Sequence, residues 1–446
     1  MINYIQQPRF NAINLMRILC CAILKKLKKT EENKMKKLSV LMAALAAVTM
    51  TVSSGYADIP AYAKNSKPVT ETAENKTEMS AALKGEIKVK TDFKVTKAIL
   101  VTDDRVYYTG NNRGRNVTVF STDHEGNIKD SLEIKSDLKD ENGAFSTYGE
   151  TMKQVGDHIY FFYTATPYFE LNLPETGEWV AIPDGVVIPK PQSFKCVKLD
   201  KELNIIDEFE LKDYTKSTYT QDVDINSTKI AYIKSGRKIY TVNHDGSGKK
   251  LLYTAGDEGL DMYHINSIAM NEDFIGFMGQ RSRGTHTVIK GSDGSTVYQG
   301  DPDYIYCGII DLKTGELTLE ENDGAAFAKA YGSIITWNDS STEAWSGKNG
   351  RIYTYDGKKF GAVKTKTAYE SYYHAVDNEG RIIGYDIRGN TVQVYENGKL
   401  KKEVTVNDKN NEQVGFVNFT ANNGVAAITY TDTKSGTTCK VKLIAY

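Results

Sequence analysis

The chain has 446 residues and is almost neutral, with 56 Lys and Arg against 57 Asp and Glu. Beyond the N-terminal region it has no run of basic residues, so it lacks the positive stripe that phosphate neutralisation requires, and we expect no nucleic-acid partner. Tyr, Thr, Val and Ile populate most of the chain, which favours β-sheet over helix.

The N-terminal residues 1–63 look like targeting sequence. Met35-Lys36-Lys37 precedes the apolar run 38–52 and small residues at 55–57 or 61–63, a pattern typical of a secretory signal peptide. We interpret 1–34 as an extension from a mis-chosen start codon upstream of Met35 and 35–63 as the signal peptide. The alternative is that 1–34 is a longer n-region or a membrane-associated helix. The run is too short for a comfortable bilayer span. We therefore expect a mature chain without a stable membrane span that is secreted, periplasmic or at the cell surface.

The mature chain is expected to begin with a flexible linker and to continue as one domain. Removing residues 1–63 takes away nine basic and three acidic residues, which leaves a formal charge of −7. Residues 64–85 are rich in Lys, Glu, Thr, Asn and Ala and have no apolar periodicity, so we predict a linker there. Residues 86–446 are predicted to be a single β-propeller domain.

The propeller prediction depends on a repeated unit, seen most clearly in residues 224–256, where four short strands alternate with polar or glycine turns. Each copy has an apolar residue, one spacer and an aromatic residue. The aromatic members are Tyr108, Phe161, Tyr232, Phe277, Trp337, Tyr385 and Tyr430. Their spacings of 53, 71, 45, 60, 48 and 45 residues indicate a unit near 45 with insertions, which is typical of propeller blades.

In chain order the predicted blades cover residues 97–135, 150–212, 220–254, 265–320, 325–366, 373–406 and 417–446. The seventh has only three strands before the chain ends at Tyr446. Residues 86–90 form a spare strand that can complete it and remove an unpaired edge. The predicted fold is therefore all-β, a seven-bladed β-propeller of four-stranded antiparallel blades closed by an N-terminal strand.

Three cysteines follow the predicted signal peptide, and each falls on the third strand of a different blade. These are Cys196, Cys307 and Cys439. Cysteines bridge only when their Cα atoms approach within about 7 Å, which separate blades should prevent. We expect three buried free thiols and no metal site built from them.

Two of the loop sets in a propeller share one face: the loops joining second to third strands, and those joining each fourth strand to the next blade. We call this the long-loop face, because the insertions 164–192, 281–303 and 338–350 fall there. The remaining turns define the short-turn face. Long loops on a rigid scaffold commonly carry binding residues, so we predict that the long-loop face is the working face.

Aligning the copies on their aromatic residue predicts a ring of side chains at the mouth of the channel. Tyr148, Tyr219, His264 and Tyr372 lie thirteen positions upstream, and Lys97, Glu150, Gln221, Asn266 and His374 eleven positions upstream. Such a ring could hold a sugar or a peptide by stacking and hydrogen bonding. The alternative is that these are polar strand starts meeting water.

Trp179 and Trp345 lie within two of the insertions. Exposed aromatic side chains on loops suggest a contact surface. Equally, each could fill a gap beneath its own loop.

Signatures of catalysis are scarce. The chain has no nucleophile elbow and no His-Glu-x-x-His motif, and we predict neither metal nor cofactor. If the protein is an enzyme, the general acid and base are expected among Glu150, His264 and His374.

One segment carries a family resemblance. Residues 239–251, Ile-Tyr-Thr-Val-Asn-His-Asp-Gly-Ser-Gly-Lys-Lys-Leu, resemble the repeats of TolB-like β-propellers, and residues 351–357 are a partial second copy. The resemblance, also WD40-like at the level of the fold, implies a propeller with periplasmic or extracellular binding as its commonest use.

These observations favour a secreted, non-enzymatic propeller that binds a protein partner or a cell-surface glycan through the long-loop face. The alternative hypothesis is a polysaccharide lyase or glycoside hydrolase on the same scaffold.

Overall fold

The computed structural model describes residues 86–446 except 112–115, 141–142, 168–192, 213–221, 258, 260–261, 282–285, 291–295, 301–303, 323, 340–349, 407–412 and 433–438. The predicted N-terminal extension (1–34), signal peptide (35–63) and linker (64–85) lie outside the described residues. The same is true of Trp179, Tyr219, Gln221 and Trp345.

The described residues form seven antiparallel blades, each a meander that runs from the innermost strand outward. Strand β1 (Glu86–Lys88) precedes them. The first blade contains β2 (Val95–Val101), β3 (Val106–Asn111), β4 (Thr118–Thr122) and β5 (Ile128–Glu133), and the hairpin β6 (Lys139–Asp140) and β7 (Gly143–Ala144) follows it. The second contains β8 (Ser146–Val155), β9 (His158–Thr166), β10 (Ser193–Leu199) and β11 (Ile205–Glu210). The third contains β12 (Val223–Ile225), β13 (Lys229–Lys234), β14 (Lys238–Asn243) and β15 (Lys250–Thr254).

The fourth blade carries an inserted hairpin between its second and third strands. It contains β16 (Met262–Met270), β17 (Phe274–Arg281), the hairpin β18 (His286–Lys290) and β19 (Thr296–Gly300), then β20 (Tyr304–Asp311) and β21 (Leu317–Asn322). The fifth contains β22 (Ala325–Tyr331), β23 (Ile334–Asp339), β24 (Gly350–Tyr355) and β25 (Phe360–Thr365). After the short helix α1 (Ala368–Tyr372), the sixth contains β26 (His374–Val376), β27 (Ile382–Asp386), β28 (Thr391–Glu396) and β29 (Lys399–Thr405). The seventh contains β30 (Gln413–Asn422), β31 (Val425–Asp432) and β32 (Cys439–Ala445).

The ring closes through the N-terminal strand. β1 pairs antiparallel with β32, with Ile87 opposite Leu443. One residue further on, the Val89 amide donates a hydrogen bond of 3.1 Å to the Val441 carbonyl. β1 thus supplies the fourth strand of the seventh blade before the chain enters β2. The predicted closed, seven-bladed fold is confirmed.

The aromatic repeat marks the second strand of every blade. All seven aromatic side chains are at most 2% exposed and lie on β3, β9, β13, β17, β23, β27 and β31. The apolar residue two positions earlier is equally buried in each copy. The repeat recurs because each second strand has both faces covered, by the neighbouring blades on either side, and large apolar side chains there gain the most from burial.

Seven clusters of buried apolar residues join neighbouring blades, so the described residues include one cluster for each interface of the ring. The cluster between the seventh and first blades includes Val425, Leu443 and Tyr108. Among the described residues, six clusters contain at least ten buried members, whereas the one between the fifth and sixth blades contains four. The fifth and sixth blades are therefore joined by the smallest apolar contact in the described ring.

The strand order also fixes where the connections leave the ring. Every connection of ten or more residues joins strand ends on the long-loop face, namely 134–145, 167–192, 211–222, 282–303 and 340–349. The turns on the short-turn face have two to six residues. Within the described part of the chain, no helix has the length and apolar character needed to cross a membrane.

The cysteines lie on the third strands of the second, fourth and seventh blades, and all three are free thiols. Cys196 and Cys307 are buried, and burial raises the pKa of both thiols well above the ordinary value. Cys439 is only half-buried, so the expectation of three buried thiols was wrong for this residue. It begins β32 at the long-loop face, where the blade core ends.

We predict that removing the Glu86 carboxylate destabilises the closure. Glu86 Oε1 lies 3.1 Å from Lys442 Nζ, and the Lys442 side chain is fully buried beneath β1. Glu86→Ala leaves this ammonium without its carboxylate and should lower the free energy of unfolding by about 1–3 kcal/mol. Denaturant unfolding measures the change. Glu125→Ala, which removes an exposed carboxylate in a turn of the first blade, is the control. Equal stability of the two variants would contradict the role assigned to the Glu86–Lys442 ion pair.

Candidate functional site

The innermost strands surround a central channel that contains a cavity of about 930 Å³. Its walls come from β2, β8, β12, β22, β26 and β30, together with turns of the short-turn face. Main-chain groups at the strand ends and polar side chains line it alongside apolar residues such as Ile99 and Phe419. A cavity of this size with a few polar groups is typical of a small-ligand site.

Tyr148 and Glu150 both line this cavity, close to the end of β8 that meets the long-loop face. Glu150 is the extra residue of a β-bulge, because the register with β9 shifts between Gly149 and Thr151. A bulge can redirect a side chain relative to the regular alternation of a strand. Glu150 Oε1 accepts a hydrogen bond of 3.0 Å from Thr164 Oγ1. Lys97, from the same predicted position of the first blade, also lines the cavity.

A partly buried ion pair joins three inner strands lower in the channel. Lys153 Nζ on β8 lies 3.0 and 2.9 Å from the two carboxylate oxygens of Asp224 on β12, and it also donates to the Met270 carbonyl on β16. Asp224 Oδ2 in turn accepts from the Met270 amide at 2.6 Å. Each charge is therefore satisfied by its neighbours, and the group joins the second, third and fourth blades.

Lys329 projects from β22 into the same cavity. Its Nζ donates a hydrogen bond of 2.9 Å to the His374 carbonyl. Burial within the ring lowers the pKa of the Lys329 ammonium to about 8. Unlike Lys153, it forms no ion pair with any carboxylate in the described part of the chain.

His374, predicted to face the channel, is instead fully buried. Its Nε2 lies 3.0 Å from Thr336 Oγ1 of the fifth blade, so the ring is directed into the interface between the fifth and sixth blades. Its role in the structure is therefore to join two blades.

His264 and Asn266 lie together on β16 but are not among the residues lining the cavity. His264 packs closely over Gly236, where a Cβ atom would lie 2.4 Å from its Cε1. Burial lowers the pKa of His264, and a hydrogen bond that its ring donates to the Asn266 amide oxygen partly offsets this effect. Asn266 Nδ2 donates to Gln280 Oε1 at 2.7 Å.

Helix α1 contributes two candidate side chains to the long-loop face. Tyr372 is half-buried, and its ring centroid lies 6.3 Å from that of Tyr373. Glu370 is fully buried against Tyr395, whose hydroxyl also lies 2.7 Å from Gln393 Oε1.

Two opposing effects set the pKa of Glu370. The Tyr395 hydroxyl donates to Glu370 Oε2, and the Thr367 hydroxyl donates to Oε1 at 3.2 Å, and both bonds favour the ionised carboxylate. Burial acts in the opposite direction and is the larger effect. Burial, with a contribution from the Asp386 charge, raises the pKa of Glu370 to about 7.

We predict that Glu370 makes stability depend on pH. Its pKa is about 7 in the folded chain and near 4.5 when unfolded, so the folded state binds more protons between these values and loses stability as the pH rises through this window. Glu370→Gln keeps the shape without ionising. It should therefore gain about 2–3 kcal/mol relative to wild type between pH 5 and pH 8.

Thermal unfolding at pH 5 and pH 8 measures this difference. Glu396→Gln, at an exposed site on β28, is the matched control and should follow the wild type at both pH values. A Glu370→Gln variant that is destabilised equally at both pH values would contradict a protonated, buried Glu370.

The structure thus separates the candidate residues into different environments. Tyr148 and Glu150 line the cavity, His264 and Asn266 form a separate polar group, Tyr372 belongs to α1, and His374 is buried between blades. The three side chains considered for acid–base chemistry, Glu150, His264 and His374, are not brought together in one site. Among the described residues, no three His, Cys, Asp or Glu side chains are grouped closely enough to hold a metal ion.

Known proteins show only distant similarity to this chain. No protein-family model and no curated relative matches this sequence. Similar solved structures include virginiamycin B lyase from Staphylococcus aureus, which is 12% identical in sequence. The match covers 81% of this chain and 98% of the lyase chain, with a TM-score of 0.41.

Two further structures extend the comparison. Acylaminoacyl peptidase from Pyrococcus horikoshii is 15% identical over 64% of this chain and 43% of its own, with a TM-score of 0.39. Oligogalacturonate lyase in complex with manganese is 12% identical over 77% of this chain and 74% of its own, with a TM-score of 0.34. All three TM-scores lie below 0.5, so no residue role is transferred from these structures. The TolB-like or WD40-like resemblance stays a prediction.

Proposed function

We propose that this chain is a secreted, non-enzymatic β-propeller that binds a cell-surface glycan at the long-loop end of its central channel. The observation that carries the proposal is that Tyr148 and Glu150 line the cavity at the end of β8 nearest the long connections. A tyrosine ring can stack on a sugar, and a carboxylate can accept hydrogen bonds from its hydroxyl groups. The predicted signal peptide supports an extracellular or periplasmic site of action.

The shape of the candidate site favours a glycan over a protein as the ligand. The polar groups lie inside a cavity rather than on a broad, flat patch, and a narrow polymer chain can enter where a folded surface cannot. A protein partner bound mainly through the loops is the outcome that would replace this proposal. Catalysis is not proposed, because Glu150, His264 and His374 occupy separate environments.

We predict that changes within the channel weaken glycan binding without unfolding the ring. Tyr148→Ala removes the stacking surface and should lower the affinity about three- to tenfold. Glu150→Gln keeps the acceptor for Thr164 but removes the charge, so a smaller loss is expected. A glycan array identifies the ligand, and calorimetry with the strongest binder measures both variants.

Glu396→Gln and Lys358→Ala, both exposed on the short-turn face, are the controls and should bind like wild type. Unchanged affinity in both channel variants would overturn the assignment of this site. Cleavage of a bound oligosaccharide, followed by product analysis, would instead favour the polysaccharide lyase or glycoside hydrolase hypothesis.

A further inference from the structure

Lys329 differs from Lys153 and Asp377, two charged side chains with which it shares the channel. Lys153 is paired with Asp224, and Asp377 is paired with Arg381 at 2.7 Å. Lys329 Nζ has a carbonyl oxygen of His374 as its partner instead, and no carboxylate of the described residues lies within ion-pair distance. The channel thus holds an ammonium group whose charge the described protein residues leave uncompensated.

An uncompensated charge inside a protein is unfavourable, because the surroundings replace only part of the water that solvates it. Arg381 and Lys153 avoid this by pairing. Lys329 occupies the wall of the cavity, where a ligand rather than a side chain can supply the missing negative charge. Perturbed ionisable groups in cavities are often ligand-binding groups for this reason.

We propose that Lys329 is the anchor for a carboxylate carried by the glycan, so that the ligand is an acidic, uronic-acid-type saccharide. The proposal rests on the proposed glycan-binding function and names its substrate class. A lysine ammonium is a compact charge with three donors, which suits a single carboxylate. At neutral pH the group is mainly protonated, since its pKa is about 8.

The arrangement across the ring fits this assignment. Lys329 belongs to the fifth blade, whereas Tyr148 and Glu150 belong to the second, so the two groups approach the cavity from well-separated parts of the ring. A saccharide held between them would place its carboxylate against Lys329 and its hydroxyl groups toward Glu150. Asn418 on β30 also lines the cavity. Its Nδ2 donates to the Ala98 carbonyl at 2.8 Å, and its amide oxygen can accept a hydrogen bond from a ligand hydroxyl.

The experiment compares glucuronic-acid oligosaccharides with the same oligosaccharides after reduction of their carboxyl groups. Calorimetry on the full mature chain should show at least about tenfold tighter binding of the carboxylate form, as expected for a hydrogen bond between charged groups. Lys329→Met should abolish this preference while keeping the weaker binding of the reduced form. Lys401→Met, at an exposed position of β29, is the matched control and should keep the preference.

Thermal unfolding provides a second readout. A lysine kept for binding should be replaceable without loss of stability, so Lys329→Met should melt at the same or a higher temperature than wild type at pH 7. A lower melting temperature together with an unchanged carboxylate preference would show a structural role and overturn the proposal.

The outcomes separate this inference from the proposed function. Equal binding of both oligosaccharide forms by the wild type would leave a glycan-binding channel but overturn the role of Lys329. If neither form binds, the proposed function fails. Chemical acetylation of Lys329, measured by mass spectrometry, then tests the anchor alone. If an acidic peptide protects Lys329 from acetylation, the carboxylate belongs to a peptide. If neither peptide nor saccharide protects it, the anchor is refuted.

Discussion

The pairing of β1 with β32 is the contact on which the rest of this structure depends. Seven blades in an open array would share six interfaces, whereas closure adds the seventh, where Val425 and Leu443 pack against Tyr108. The closing strand is short, with three residues in regular pairing, and it is held by the buried Lys442 ammonium beneath Glu86 as well as by main-chain hydrogen bonds. Direct hydrogen bonds between the first and last blades, such as that from the Ala98 amide to Thr429 Oγ1 at 3.0 Å, act together with this contact. The walls of the channel and the common face of the long loops both follow from the closed ring.

Closure also creates the environment in which polar groups of the inner strands act. The ion pair of Lys153 and Asp224, together with the Met270 main chain, joins the second, third and fourth blades at the short strand β12. The interface between the fifth and sixth blades has the smallest apolar cluster of the described ring, and polar groups are concentrated beside it: Lys329, His374 and Glu370. This sector therefore combines weak apolar packing with two ionisable groups whose pKa values are shifted toward neutrality. We therefore expect anion binding and a change of pH to affect this sector more strongly than the rest of the ring.

The sequence predicted the number of blades because the second strand of each blade is covered on both sides and carries one buried aromatic residue. These residues, such as Trp337 and Tyr385, recur at a regular spacing that can be counted. It predicted the closing strand because an incomplete seventh blade needs a partner. It predicted only some of the inner side chains that face the cavity, among them Tyr148, Glu150 and Lys97. Bulges interrupt β2, β8, β16, β22 and β30. Each extra residue reverses the alternation that a count from the aromatic position assumes.

His374 is directed into an interface for a further reason, since α1 sets how the chain enters β26. Lys329 was missed because a single lysine on a strand carries no motif, and only the ring shows that its charge is uncompensated.

The most direct test of the closed ring is the exchange of the Val89 amide hydrogen with solvent. In the structure this amide donates to the Val441 carbonyl and forms one of the main-chain bonds of the closure. Native-state hydrogen exchange, followed by mass spectrometry or NMR, should show it protected together with the amides of β31 and β32, because all of them open only when the seventh blade separates. Exchange of Val89 at the rate of an unstructured peptide, while β31 and β32 remain protected, would contradict closure by the N-terminal strand.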